Sequence, residues 1–418
     1  MSLLLLYALC SLLYALCSLL YALCCFICPG LSAPHHGERM ISSTPTPPQP
    51  PILVLDADYP RMDGVVEEIL EAFPLPWSGK RVLLKPNLLG PYAPEKGITT
   101  HPSLIRSLVK ALKKRGATCE VGDNPGLNGY AANERCARIS GILDAAEGGY
   151  INLAKDSVQI SLESRFLDKL VVSRAVLDAD LLINVPKFKT HVQTQVTGAV
   201  KNMFGILVGA EKARVHHAVP WPRKFSEALV DIYQIRVPDL TLMDAVVGME
   251  GNGPSGKDLR PVGKVLASRN GVSLDCLMAA MMGILPRKVD HLDIACQRGL
   301  GEIDPARMEI RGSWEPLRKF RTPLSFASQG WFGTVLNRLL YRPLIKPKLK
   351  VRPDLCTRCE VCIQHCPAQA LSLREIPRLD EKKCIACYCC YELCPSQAME
   401  LTSWMRWTRP RGKTPKES

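Results

Sequence analysis

Residues 356–367 read CTRCEVCIQHCP, and residues 384–395 read CIACYCCYELCP. Both segments follow the pattern C-x2-C-x2-C-x3-C-P, and the second begins twenty-eight positions after the first. The residues that follow are also alike, PAQALSL at 367–373 and PSQAMEL at 395–401. A period that extends beyond the cysteines indicates that one structural unit occurs twice.

Each cysteine run resembles the bacterial ferredoxin signature, in which the fourth cysteine of one run binds the cluster of the other. The resemblance implies two [4Fe–4S] clusters, one held by Cys356, Cys359, Cys362 and Cys394 and the other by Cys384, Cys387, Cys390 and Cys366. The alternative is a pair of zinc sites, since tetrahedral zinc also uses C-x2-C pairs. A third cysteine two residues further on and a terminal Cys-Pro are unusual in zinc modules. Cys389 fits no ligand position, so we expect it to pack near a cluster unless the register shifts.

The composition is that of a globular protein with a large core and two or three domains, since 47% of the 418 residues are hydrophobic and 22% are charged. The net charge of +13 favours phosphorylated ligands, acidic partners or anionic lipid. Of the 18 cysteines, only Cys119, Cys136, Cys276, Cys296 and Cys389 lie outside the two patterns and the N-terminal segment. These five show no disulfide spacing, and thiolate ligands need a reducing compartment, so the sequence predicts a cytoplasmic protein.

Residues 1–39 form an apolar leader in which SLLYALC occurs at 11–17 and again at 18–24. The apolar run exceeds the roughly 20 residues that span a bilayer, but no Lys or Arg precedes it as in a signal peptide. Two interpretations of this segment remain open. It is a membrane anchor, or the given start lies ahead of the true start, for which Met40 is the candidate. Residues 40–51 are a Pro-rich linker.

Strand-like and helix-like segments alternate between residues 52 and 312. Strands are predicted at Ile52–Asp56, Arg81–Lys85, Thr118–Gly122, Leu181–Val185, Leu240–Asp244 and Lys264–Ser268. Helices are predicted at Gly64–Phe73, Pro102–Arg115, Lys224–Ile235 and Ser273–Gly283. The alternation predicts an α/β domain with a mainly parallel sheet and helices on both faces, followed at 353–403 by a small α+β ferredoxin-like domain.

Polar residues cluster where the predicted strands end, which is where α/β sheets bind ligands. The candidate substrate-binding residues are Lys85, Asn87, Lys187, Lys189, His191, Lys201 and Asn202. Several are cationic and lead toward a helix predicted to begin near Thr194, a pattern that favours a phosphate or carboxylate ligand. The alternative is a set of solvated lysines and ordinary turns. No nucleophile–base pair is visible, so no catalytic residue is assigned.

A Gly-rich segment at Gly248–Gly256 could bring backbone close to such a ligand, with Asp244 and Glu250 available for a metal ion or for acid–base chemistry. It is not a phosphate-binding loop of the Walker A type, because Gly-x4-Gly-Lys-Ser/Thr is missing.

Several of these segments resemble the DUF362 domain family. They are KPN at 85–87, NVPKFKTH at 184–191, TGAVKNMFG at 197–205 and GNGPSG at 251–256, and the similarity continues through SLD at 273–275 and GLG at 299–301. It covers about Ile52 to Arg311, and such domains are often joined to a ferredoxin module. The family name records an unassigned function, so the resemblance implies architecture and little chemistry. Acidic residues expected ahead of Asp275 are absent, which argues against a metal site there.

Residues 313–352 form a basic connector, with nine Lys or Arg between 314 and 352 against the single acid Glu315. Its apolar residues recur at helical spacing: Trp331, Phe332, Val335, Leu336, Leu339 and Leu340. Such an amphipathic helix could lie on an anionic membrane surface or dock the cysteine-rich module onto the large domain. The basic tail at 404–418 is predicted to be disordered beyond Trp407.

Together these patterns predict an iron–sulfur electron-transfer protein whose α/β domain binds an anionic phosphate or carboxylate substrate, as in a ferredoxin-dependent oxidoreductase. The alternative is a non-enzymatic scaffold or membrane-docked redox adaptor. The expected partners are a redox protein or a small anionic molecule, with an anionic membrane surface as a further candidate. A nucleic-acid role is not favoured, because no recognised binding motif is present.

Overall fold

The computed structural model describes residues 50–125, 130–323 and 348–402. The predicted leader, most of the linker, the greater part of the connector and the C-terminal tail lie outside the described residues. Within the described residues, no helix is both long and apolar enough to cross a membrane.

The large domain is built on a mixed sheet of nine strands, with a separate two-stranded ribbon. The strands are β1 (Ile52–Asp56), β2 (Arg81–Pro86), β3 (Thr118–Val121), β4 (Ser157–Ser161), β5 (Lys169–Ser173), β6 (Leu181–Val185), β7 (Lys187–His191), β8 (Gln195–Val196), β9 (Leu240–Met249), β10 (Leu259–Ser268) and β11 (Ile310–Arg311). The main path runs β11-β1-β10-β9-β6-β2-β3, β7 pairs with β9, and β4 and β5 form the ribbon.

Most neighbours in the sheet are parallel, which confirms the predicted fold class. β2 is parallel to β3 and β6, and β9 is parallel to β6 and β7. The exceptions are β10, which runs antiparallel to both β1 and β9, and the short β8, which runs antiparallel to β7. A short loop joins β9 to β10, and only an antiparallel pair can be closed by so short a connection.

Helices cover both faces of the sheet, as the sequence predicted. They are α1 (Met62–Ala72), α2 (Pro102–Lys114), α3 (Tyr130–Ile139), α4 (Ile142–Ala145), α5 (Arg174–Asp178), α6 (Gly198–Asn202), α7 (Glu211–Ala218), α8 (Pro222–Ile235), α9 (Gly271–Met281) and α10 (Asp290–Gln297). Side chains alternate between the faces of a strand. In β2, Val82 and Leu84 therefore join the core beneath α1 and α2, whereas Leu83 joins the core beneath α8 and α9.

One predicted helix start is wrong. The residues near Thr194 form a turn that leads into β8, and the helix begins only at Gly198. The cause lies in His191, whose Nδ1 accepts the backbone N–H groups of Gln193 at 3.0 Å and Thr194 at 3.3 Å. These bonds fold the chain back, so that β8 pairs with β7 before the helix can start.

The C-terminal module is small and strand-rich. β12 (Lys348–Val351) pairs with β15 (Met399–Thr402), and β13 (Leu371–Leu373) pairs with β14 (Pro377–Leu379). Each cysteine run contains one short helix, α11 (Val361–Gln364) in the first and α12 (Cys389–Glu392) in the second. The two halves of the module therefore repeat one structural unit.

Candidate functional site

Polar side chains gather at one edge of the large sheet. Asn87 follows β2, Asp123 and Asn124 follow β3, and Lys189 and His191 belong to β7. Parallel strands present their carboxyl ends on the same side of a sheet, so side chains that are far apart in the sequence converge there.

Two of the lysines predicted to bind a ligand form buried ion pairs within the protein. Lys85 Nζ lies 2.7 Å from Asp123 Oδ1, and Lys187 Nζ lies 2.8 Å from Asp244 Oδ2. Lys187 also donates to the hydroxyl of Tyr59 at 3.0 Å. All four charged side chains are at most 3% exposed, so each pair cancels its own charge. Neither lysine is among the described residues that line the cavity at this edge.

A cavity of about 230 Å³ lies at the sheet edge, and both the large domain and the C-terminal module form its walls. Five of the seven predicted substrate-binding residues line it, namely Asn87, Lys189, His191, Lys201 and Asn202. The large domain also contributes Asp123, Asn124, Thr197, Phe204, Lys212 and His216, and the module contributes Gln364, His365, Cys366, Cys389 and Glu392.

The floor of the cavity is a network of buried amides around Lys189. Lys189 Nζ donates to Asn87 Oδ1 at 2.6 Å and to the carbonyl of Ile98 at 2.8 Å. Asn87 Nδ2 donates to Asn202 Oδ1 at 2.9 Å, and Asn202 Nδ2 to Asn184 Oδ1 at 2.7 Å. Burial, together with the nearby Lys201, lowers the pKa of Lys189 to about 7. Each donor is oriented by its neighbours, which holds the site in one geometry.

Two further ammonium groups flank the ring of Phe204. Lys201 Nζ lies 5.6 Å and Lys212 Nζ 6.0 Å from the ring centroid. Lys212 donates to the carbonyl of Asn124, and burial lowers its pKa to about 8. The ammonium of Lys201, by contrast, has neither hydrogen bond nor ion pair with any residue that the structure describes. Burial lowers its pKa as well, although the charge of Glu392 opposes this shift.

His191 and Glu392 meet across the cavity from different parts of the chain. His191 Nδ1 accepts two backbone N–H groups, so the proton of the neutral ring is on Nε2. That Nε2 lies 3.0 Å from Glu392 Oε1, although the two groups lack the alignment of a hydrogen bond. Burial lowers the pKa of His191 to about 4. Burial alone would raise the pKa of Glu392, but His191 and Lys201 outweigh it and lower that pKa.

Asp275 fixes the position of α6, the helix that carries Lys201 and Asn202. Its carboxylate accepts the backbone N–H groups of Ala199 at 2.6 Å and Val200 at 2.9 Å. Gly198 precedes them with a φ of +59°, and a Cβ there would lie 2.3 Å from Asp275 Oδ1. Asp275 thus caps a helix, a structural role that agrees with the missing acidic residues ahead of it.

The cysteine runs surround two separate spaces. One is lined by Cys356, Cys359, Cys362 and Cys394, and the other by Cys366, Cys384, Cys387 and Cys390. In each space, three thiols come from one run and the fourth comes from the other run. This crossed arrangement has the donor set that two [4Fe–4S] clusters require, four thiols for each.

The backbone around the cysteines repeats as closely as the sequence does. Left-handed residues occur at Arg358, Glu360 and Gln369, and again twenty-eight positions later at Ala386, Tyr388 and Gln397. The N–H of Ala370 donates to Cys366 Sγ, and that of Ala398 donates to Cys394 Sγ, both at 3.2 Å. Such N–H groups stabilise the negative charge of cluster thiolates and tune their potential.

The Gly-rich loop after β9 docks the C-terminal module rather than offering its backbone to a ligand. The carbonyl of Asn252 accepts from the hydroxyl of Tyr391 at 2.5 Å, and that of Ser255 accepts from Gln397 Nε2 at 2.7 Å. Glu250 is engaged by Arg321, whose Nε donates to Oε1 at 2.8 Å. Only Pro254 of this loop lines the cavity in the described structure.

Sequence reasoning missed several residues of the cavity wall, among them Glu392, Lys212 and His216. Cys389, expected near a cluster, lies in the cavity wall beside Cys390. The repeat held a signal for Glu392, because the matching position of the first run is the uncharged Gln364. Lys212 carried no comparable signal, since a lysine near the start of a helix is usually solvated.

Two family models match the chain. One is described as a domain of unknown function, DUF362, and matches residues 82–280. The other is described as a 4Fe-4S dicluster domain and matches residues 348–395. The two resemblances noted in the sequence are therefore confirmed, and the dicluster match supports iron–sulfur clusters and is consistent with two of them.

A curated relative and a solved structure are also similar. The thylakoid-associated protein sll1697 of Synechocystis sp. is 31% identical over 234 residues, which cover 56% of this chain and 71% of that protein. The lactate racemase apoprotein of Thermoanaerobacterium thermosaccharolyticum is similar with a TM-score of 0.38 and 15% identity, over 57% of this chain and 58% of its own. The chain thus spans less than two thirds of that structure, and so low a score does not establish a common fold.

Proposed function

Because this chain belongs to the DUF362 domain family and joins that domain to a 4Fe-4S dicluster domain, we propose that it exchanges electrons between iron–sulfur clusters and a small anion bound in the cavity. One observation carries the proposal. The cavity that holds the unpaired Lys201 is also lined by Cys366, a predicted ligand of the second cluster. A ligand held by the cations would therefore lie beside the cluster-binding module.

The charge of the cavity favours an anion. Lys189, Lys201 and Lys212 all line it, whereas Asp123 is neutralised by Lys85 and leaves Glu392 as the remaining carboxylate of the described wall. Lys201 is a partly buried cation without a hydrogen bond among the described residues, and a bound phosphate or carboxylate would compensate its charge through charge-assisted hydrogen bonds.

The wall also holds polar atoms that need a partner. Thr197 Oγ1 and His216 Nδ1 are buried and form no hydrogen bond with any residue that the structure describes. Buried polar atoms are nearly always paired in proteins, so unpaired ones in a cavity indicate a ligand or ordered water.

The C-terminal module supplies the electron chemistry. Its eight predicted cysteine ligands would hold two [4Fe–4S] clusters, which transfer one electron at a time when bound. The chain itself provides N–H donors to the sulfurs, and hydrogen bonds from Tyr92 hold the second run against the large domain. The Tyr92 hydroxyl lies 3.2 Å from the carbonyl of Glu392 and 3.1 Å from that of Cys394.

The proposal is tested with anaerobically purified or reconstituted protein. We expect about eight iron and eight sulfide per chain, and reoxidation of the reduced protein when a phosphorylated or carboxylated substrate is added. Lys201→Gln should abolish the ligand-dependent reoxidation, whereas Lys155→Gln, at an exposed position, should not. A colourless preparation that contains zinc, or a reduced protein that no small anion reoxidises, would contradict the proposal.

A second candidate is a membrane-associated redox adaptor. The relative from Synechocystis is described as thylakoid-associated, and the connector of this chain is strongly basic. In this case the connector would bind anionic lipid, and the clusters would serve a partner protein. Deleting residues 325–341 and measuring co-sedimentation with anionic vesicles separates the two functions. Loss of vesicle binding with unchanged phosphate binding supports the adaptor, and unchanged vesicle binding refutes it.

A further inference from the structure

Cys276 and Cys296 are two thiols of the large domain that belong to neither cysteine run. Cys276 lies on α9 and Cys296 on α10, and their sulfur atoms are 3.8 Å apart. The two residues are 20 positions apart in the sequence, and their spacing did not mark them as a pair. The packing of the two helices brings the two sulfurs into contact.

The separation of the sulfurs is close to that from which a disulfide can form. The S–S bond of a disulfide is about 2.0 Å long, so each sulfur would have to move by about 0.9 Å toward the other. A rotation of both side chains about their Cα–Cβ bonds supplies a movement of that size. The bond can therefore close without a rearrangement of the sheet.

The two thiols differ in their access to solvent. Cys276 is fully buried in the core beneath α8 and α9, whereas Cys296 is half-buried and is followed by the exposed residues Gln297 and Arg298. The contact with Cys296, together with burial, raises the pKa of Cys276, so Cys276 stays protonated in the reduced protein. An oxidant that approaches from solvent meets Cys296 first.

Most buried cysteines are small apolar packing residues, and Cys119 and Cys136 are of this kind. Both are buried in the core beneath the other face of the sheet, and burial raises the pKa of Cys119 to about 11 and that of Cys136 to about 12. Cys276 and Cys296 differ from them, because they combine a sulfur–sulfur contact with one partly exposed member. A redox-active dithiol needs this combination of an accessible thiol and a resolving thiol beside it.

We propose that Cys276 and Cys296 form a reversible disulfide when the protein meets a low-molecular-weight disulfide such as glutathione disulfide. Cys296 gives up its proton and attacks one sulfur of the oxidant, which releases one thiol and leaves a mixed disulfide on Cys296. Cys276 then gives up its proton, attacks the sulfur of Cys296 and releases the second thiol. The protein thiols lose two electrons, the oxidant gains them, and the two protons end on the released thiols.

The disulfide would connect α9 to α10 beside the residue that caps α6. Asp275 directly precedes Cys276, and its carboxylate accepts the first N–H groups of α6. That helix carries Lys201 into the cavity. The redox state of the pair would therefore decide whether the helix that positions α6 is covalently anchored. The bond itself requires neither a cluster nor a ligand in the cavity.

Tryptic peptides identify the bond directly. Trypsin cleaves after Lys and Arg, so Cys276 is the single cysteine of peptide 270–287 and Cys296 that of peptide 289–298. The anaerobically purified holoprotein is incubated with glutathione disulfide, its remaining thiols are alkylated, and the digest is analysed by mass spectrometry. We expect the two peptides to be joined and lighter by two hydrogens. After treatment with dithiothreitol they should separate, and both cysteines should react with the alkylating reagent.

Three serine variants test the order of the two steps. Cys276→Ser should retain glutathione on Cys296, because the thiol that displaces it is missing. Cys296→Ser should leave Cys276 unmodified, because Cys276 is buried. Cys136→Ser makes the same change at a buried cysteine outside the pair and should form the bond as the wild-type protein does. The wild-type digest decides the question even if a serine disturbs the core.

Two results would overturn the proposal. The first is that the folded wild-type protein yields no joined peptides under conditions in which urea-unfolded protein takes up glutathione. The second is that Cys276 and Cys136 of the folded protein take up glutathione as readily as Cys296. Neither result depends on anion binding, so both would leave the proposed function intact.

Discussion

Replacing Gly198 with alanine should destabilise the protein more than the same change at Gly79, a glycine with a similar positive φ. Gly198 has a φ of +59°, and a Cβ there would lie 2.3 to 2.5 Å from three atoms of the Asp275 carboxyl group. Asp275 is fully buried and cannot move without releasing the N–H groups of Ala199 and Val200. The methyl group and the helix cap therefore compete for one space.

The expected loss of stability follows from two contributions. A left-handed backbone costs a non-glycine residue about 1–2 kcal/mol. Displacing the Asp275 carboxylate far enough to break one hydrogen bond to a charged acceptor costs about 1.5–3 kcal/mol more. Gly198→Ala should thus lower the free energy of unfolding by about 2.5–5 kcal/mol. Gly79 has a φ of +71° and no atom within 4 Å of an added Cβ. Gly79→Ala should therefore lower the free energy of unfolding only by the backbone contribution, about 1–2 kcal/mol.

Urea unfolding of the anaerobic holoprotein measures the difference. Trp77, one of six tryptophans, is 6% exposed within the core beneath α1 and α2, so the change in fluorescence includes a contribution from the large domain. The same variants should differ in phosphate affinity, since only α6 carries Lys201 into the cavity. Equal destabilisation by the two alanines would show that Asp275 is not confined, and the account of the helix cap would be wrong.

Three other outcomes are expected. The affinity for sulfate, whose charge is constant in this range, should fall as the pH rises through about 7 to 8. Burial lowers the pKa of Lys189 to about 7 and that of Lys212 to about 8, and lysines lose their charge above the pKa. Calorimetry below and above this interval checks the direction, and a rise in affinity would contradict the prediction. Cys389→Ser should retain about eight iron atoms per chain, whereas Cys390→Ser should lose iron, as a colorimetric iron assay would show; equal losses would mean that the register is shifted. Tyr92→Phe removes a hydroxyl placed 3.1–3.2 Å from two carbonyls of the second cysteine run. The free energy of unfolding of the module should fall by about 1–3 kcal/mol, so the visible absorbance of the clusters should be lost at a lower urea concentration. An unchanged urea midpoint would show that Tyr92 does not hold the module.

Local sequence patterns predicted the elements that depend on neighbouring residues. β1 and β6 have the predicted bounds, and α2 begins at the predicted Pro102. The predicted bounds were wrong where residues that are distant in the sequence determine where an element begins or ends. β9 continues to Met249, beyond the predicted end, since its pairing with β10 extends it. The helix expected near Thr194 is delayed because His191 takes up the N–H groups of the intervening turn.

The candidate site was predictable only in part, for a similar reason. Strand-end positions placed Lys85, Lys187, Lys189 and Lys201 in one group, because topology sends parallel strand ends to one edge. Periodicity could not tell which of these lysines had a buried partner. Asp123 and Asp244 lie 38 and 57 positions from the lysines that they neutralise, and nothing in the spacing marks such pairs.

The sequence by itself determined that two runs of four thiols follow an α/β sheet, because ligand spacing and hydrophobic periodicity are properties of neighbouring residues. The crossing of the two sets was implied by the ferredoxin resemblance and is shown by the structure. The tertiary structure alone decided that the ammonium of Lys201 has no hydrogen bond or ion pair among the described residues and that Glu392, almost two hundred positions away, lines the same cavity. The compensation of a buried charge depends on which groups lie within a few ångströms, and residues that are remote in the chain reach that distance only when it folds.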